Sequence, residues 1–133
     1  MSSRVRALYR IDARPDGPAR ARRIVARELS PVVAKRVLDD VKLMVSELVT
    51  NGVLHGRRNP AGAITIDLRV GPDVRCAVTN KGEGFLAPKA TSNGHPGWGL
   101  RLIASLAERW GMERTRDGMQ VWFETSLLEG SEL

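Results

Sequence analysis

Cys76 is the only cysteine in a chain of 133 residues. That excludes an internal disulfide framework and fits a reducing compartment. No apolar run approaches the ~18 residues a membrane span needs. The basic N-terminus is not followed by an apolar stretch of the signal-peptide kind. Histidine is nearly absent: His55 and His95 do not make a zinc site by themselves. Aromatic residues are 5% of the chain, and none is interleaved with the N-terminal arginines, which counts against a single-strand stacking surface. There is no Walker A lysine, no tight G-x-G-x-x-G fingerprint, no internal repeat and no low-complexity segment. These absences leave one soluble, cytoplasmic, globular domain over residues 1–128, with 129–133 expected as a disordered tail.

Basic charge is abundant and unevenly placed. The net charge is +6, yet residues 1–36 alone carry ten Lys/Arg against Asp12, Asp16 and Glu28. Such asymmetry fits an acidic protein partner or a solvated helix face. No nucleic-acid reading motif accompanies it, so nucleic acid is not the expected partner.

Periodicity supplies the elements. Arg4–Ile11 alternates as a strand, and Ala13–Pro18 reads as a turn. Ala19–Leu29 has helical spacing, Ser30-Pro31 interrupts it, and a long helix runs from about Val32 to Leu54. Its core stripe is Val37, Val41, Val45, Leu48 and Val49. Ala63–Val70 and Val74–Thr79 form a hairpin across Gly71-Pro72-Asp73. A glycine-rich segment, Asn80–Gly97, is too long for a simple connection. Leu100–Trp110 is a helix with Trp110 on its apolar face. Strands near Met112–Arg116 and Gln120–Leu127 meet at Asp117-Gly118. This order predicts an α+β two-layer sandwich, with a mixed, mostly antiparallel sheet and its helices on one face.

Three stretches carry the chemistry. Glu47 and Asn51 lie one turn apart on the long helix, about 40° apart on the wheel. An amide oxygen can bind Mg²⁺, and a carboxylate can accept a proton from an attacking hydroxyl. Asn80-Lys81-Gly82-Glu83-Gly84 follows a strand, and Gly97-Trp98-Gly99 precedes a helix. Glycines let backbone amides approach an anion, and a helix N-terminus favours phosphate. Turn glycines or a solvated helix face would explain any one stretch alone.

Together they resemble a known superfamily. Ser46–Gly56 (SELVTNGVLHG) is similar to the N-box of the GHKL ATPases, which have the Bergerat fold. Val78–Phe85 (VTNKGEGF) resembles the first glycine box, and Gly97–Ile103 (GWGLRLI) the second. The likeness runs from about Val33 to Phe123 and points to the small anti-sigma factor and serine-protein kinase branch. It implies ATP and Mg²⁺ as cofactors, with Asn51 carrying the metal and Glu47 as general base. It implies Gly82 and Gly84 along the adenine, and Gly97, Trp98, Gly99 and the amide of Leu100 at the phosphates. The implied activity is phosphoryl transfer to a serine of a STAS-type anti-anti-sigma protein. A sigma factor is the implied second partner, and the branch is often dimeric. Two positions depart from the pattern. Asn80 stands where the superfamily has Asp, and Gln120 where the branch often has Thr. The alternative is a catalytically silent partner-binding module.

Overall fold

The structure, a computed structural model, describes residues 5–56, 63–81, 98–116 and 118–127. Eight elements follow in chain order: β1 (Val5–Asp12), α1 (Gly17–Leu29), α2 (Lys35–Gly56), β2 (Ala63–Val70), β3 (Asp73–Lys81), α3 (Trp98–Leu106), β4 (Arg109–Arg114) and β5 (Gly118–Ser126). The strands form one sheet in the order β1-β2-β3-β5-β4. Every pairing is antiparallel, including the non-sequential pair of β3 with β5. The architecture is the expected α+β two-layer sandwich, with no parallel pair among the described strands.

Alternation decides the faces. Ile64, Ile66, Leu68 and Val70 of β2, Val74, Cys76 and Val78 of β3, and Val121 and Phe123 of β5 point one way and are buried. They share a single core with Ala21, Val25 and Leu29 of α1, with Val41, Val45 and Val49 of α2, and with Ile103 of α3. All three helices therefore cover the same face. The other face carries charge instead. There Arg75 stacks over the Trp122 ring at 4.5 Å and donates to Glu124. Arg109 bonds the same Glu124 at 2.7 Å.

The element ends depart from the periodicity for local reasons. Helix α1 begins at Gly17 and includes Pro18 in its first turn, where a missing N–H costs nothing. Helix α2 begins later than predicted. The amides of Val32 and Val33 close off α1 by donating to the Leu29 carbonyl, and the amide of Ala34 donates to the Leu127 carbonyl. Helix α3 ends at Leu106, and the Ala107 amide donates to the Ile103 carbonyl at 2.8 Å. Trp110 is thus not on α3. It belongs to β4, pairs with Phe123 and is 37% exposed. Cross-strand pairing overrides the helical spacing there, because the backbone of Glu108 already bonds that of Glu124.

Candidate functional site

Two buried polar side chains stand out among the described residues: Ser46 and Asn80. Ser46, on α2, is satisfied by Arg22 of α1, whose guanidinium donates to its hydroxyl at 2.9 Å. Asn80 has no such partner among the described residues. It is 7% exposed, on the helix-facing side near the end of β3, between Ile64 of β2 and Met119 of β5. Burying an amide without a hydrogen bond is costly, so a protein keeps one where water or a ligand completes it. No buried side-chain nitrogen or oxygen is sealed off without a partner among the described residues. The Asn80 amide is thus not closed off from solvent by the described residues.

The wall opposite Asn80 is Gly52 of α2. A Cβ there would lie 2.9 Å from the Asn80 Cγ and 2.9 Å from the Ile64 Cδ1, and closer still to the Asn80 Oδ1. A side chain at 52 would occupy the space of the amide. A glycine inside a helix costs about 1 kcal/mol relative to alanine, and this close approach accounts for it. Asn51 precedes Gly52 and is half-buried, as is Glu47 one turn earlier. Both sit on the flank of α2 next to the buried Met44 and Leu48. The last turns of α2 thus bring Gly52 against Asn80, with Asn51 next to it in the chain and Glu47 one turn before Asn51.

The third element is α3, which opens with Trp98 and Gly99 and packs against α2. Leu100, in its first turn, is buried in the shared core. An anchored helix start presents amides that lack intrahelical partners, with no acidic side chain in the first turn to oppose an anion. Gly82, Gly84 and Gly97 lie outside the described residues. So does His95.

Gln120, one of the two departures from the superfamily pattern, does not face this site. It is on the sheet face away from the helices, where its Nε2 donates to the Thr79 Oγ1 at 3.1 Å. The β-strand period of two puts Met119, not Gln120, beside Asn80. Gly52 and Met119 are the neighbours of Asn80 that sequence reasoning left without a role. A glycine within a strong helical pattern was the available signal for the first; nothing marked the second.

The profile of the histidine kinase-like ATPase domain family matches residues 11–125. The chain belongs to that family. Its ATPase fold implies an ATP site. A stretch of 41 residues is 49% identical to the anti-sigma F factor of Clostridium acetobutylicum, covering 31% of this chain and 27% of that protein. The fold also matches that of the RsbU and RsbW domains of Rv1364c from Mycobacterium tuberculosis. The TM-score is 0.73 over 97% of this chain and 35% of that one, at 17% identity. The chain thus spans about a third of the length of that structure, and the likeness speaks to the fold.

The donor set also bears on a metal. Among the described residues no three His, Cys, Asp or Glu side chains gather into a cage. Mg²⁺ does not need one, since it keeps its waters and takes one or two protein oxygens plus substrate phosphates. The amide oxygen of Asn51 fits that role, with Glu47 one turn away.

Proposed function

We propose that this protein is an ATP-binding anti-sigma regulator with serine kinase activity toward a STAS-type anti-anti-sigma protein. The observation that carries the reading is the buried amide of Asn80, which no described residue bonds. It lies against Gly52 on the helix that also bears Glu47 and Asn51. Family membership supports the nucleotide, and the likeness to an anti-sigma F factor supports the regulatory role. In this reading Asn80, Gly82 and Gly84 bind the base end. Gly97, Trp98, Gly99 and the Leu100 amide hold the phosphates, and Asn51 holds Mg²⁺. When bound, Mg²⁺ supplies neutralisation of charge on the transferring phosphoryl group. Glu47 accepts the proton of the attacking serine hydroxyl, which raises its nucleophilicity.

A cleft between α1 and α2 supports an acidic partner. Its volume is about 250 Å³, and it is lined by Ala19, Arg22, Arg23, Ala26 and Lys42. Three cations around a floor of alanines suit carboxylates on a sigma factor or on the antagonist, and steer their approach.

The test is Glu47→Ala. ATP affinity should persist while phosphoryl transfer to the antagonist disappears. Retained transfer would refute the base assignment. The silent-module reading is favoured by one observation, the neutral amide at Asn80 where the superfamily has Asp. It predicts no heat on titration with Mg-ATP, with sigma-factor binding intact.

A further inference from the structure

The nucleotide reading names ATP, yet the group that would meet the base is an amide rather than a carboxylate. That difference is chemical, not only electrostatic. A carboxylate can only accept a hydrogen bond, so facing the 6-position of a purine it selects a 6-amino group. An amide offers an acceptor at one end and two donors at the other. Asn80 is buried, on the helix-facing side of β3, and unbonded by any described residue. Its oxygen is the end turned at Gly52, since Oδ1 and Cγ are its atoms nearest to where a Cβ of residue 52 would stand. The NH₂ is then the end turned away from α2. In this orientation the amide presents donors, which suits a carbonyl; a half-turn of the amide presents the acceptor, which suits an amine.

We propose that the site accepts 6-oxopurine nucleotides as well as adenine nucleotides, with Asn80 as the residue that relaxes the choice. The proposal rests on the nucleotide reading above and deepens it. Among the described residues, the neighbours of Asn80 do not restore selectivity. Ile64 and Met119, which flank Asn80 across the sheet, are apolar, and Gly52 has no side chain. None of these can hydrogen-bond through a side chain to distinguish an amine from a carbonyl. Gln120, which could, is turned to the other face and bonded to Thr79.

The experiment is calorimetric titration of the full chain with Mg-ATP, Mg-ITP and Mg-CTP. ITP isolates the 6-position because it carries the carbonyl without a 2-amino group. Expected are ATP and ITP affinities within roughly ten-fold of each other and a much weaker CTP. In Asn80→Asp, ITP should weaken against ATP by at least ~10-fold, because an acceptor then faces an acceptor. A native preference for ATP over ITP beyond ~100-fold overturns the inference and leaves the nucleotide reading intact. So does CTP binding as tightly as the purines, or an unchanged ratio in Asn80→Asp. Absence of binding by all three nucleotides overturns the inference and the nucleotide reading together. The native ratio alone decides the matter if the Asp variant does not fold.

Discussion

Replacing Gly52 with alanine tests the close approach of α2 to Asn80, and the two contributions oppose each other. Alanine in a helix interior is favoured over glycine by about 1 kcal/mol. The added methyl, however, would stand 2.9 Å from the Asn80 Cγ and 2.9 Å from the Ile64 Cδ1. Ordinary carbon contacts are about 3.5–4.0 Å, so both neighbours must retreat and the short Asn80 side chain must turn away. Overpacking of this kind costs about 1–3 kcal/mol. The expected net effect is a destabilisation of about 0–2 kcal/mol in urea denaturation. On the proposed role of Asn80 at the base, it comes with loss of nucleotide binding, because the amide is displaced. The sign should reverse in an Asn80→Ala background, where the space left by the amide takes the methyl and lets the flexible Ile64 Cδ1 shift aside, so that the helix propensity of alanine shows through, a gain of up to about 1 kcal/mol. Coupling between the two positions, read from a double-mutant cycle, measures their contact. If Gly52→Ala stabilises the native chain by as much as it stabilises the Asn80→Ala chain, the two residues are not in contact and the site geometry argued above is wrong.

Other perturbations read other parts of the fold. Removing the guanidinium in Arg22→Ala leaves the buried Ser46 hydroxyl without its donor, a loss of about 1–2 kcal/mol; adding Ser46→Ala should recover part of it, measured by urea melts. The carboxyl of Glu124 is held below its usual range, chiefly by the hydrogen bond from Arg109, with Arg75 adding to it. A depressed folded-state value means stability that is present above the ordinary carboxylate range and lost as pH falls through the lowered value. Glu124→Gln should therefore lower the urea midpoint at neutral pH, and the two midpoints should converge in acid; a constant difference across that range would contradict the pairing. Burial raises the Cys76 thiol far above its ordinary value. The native protein should resist a thiol-specific chromogenic reagent until denaturant is added, and prompt labelling of the folded chain would show that the β3 core is open.

The sequence was a good guide wherever one residue type has one physical meaning. Strict alternation placed β2 at Ala63–Val70, where the structure also has it. The turn Gly71-Pro72-Asp73 joined β2 to β3 as expected, with the Gly71 amide donating to the Asp73 carbonyl at 3.0 Å. The boundary of α3 was less legible, because Trp110 satisfies a helical spacing and a strand pattern equally. Pairing with Phe123 of β5 settled it as a strand residue. The same holds for α2, whose apolar start at Val32 fits a helix by period but is spent on closing α1.

For the candidate site, the sequence determined the chemistry on offer: the carboxylate of Glu47, the amides of Asn51 and Asn80, and glycines where backbone must come close. These follow from side-chain composition, which no fold alters. Only the tertiary structure decided which of them meet. It set Asn80 against Gly52, brought Met119 rather than Gln120 to its side, and turned Gln120 to Thr79 on the opposite face. The reason is geometric. A strand exposes alternate residues to opposite faces, so a shift of one position exchanges site for solvent, and register between distant strands is set by packing rather than by any local signal.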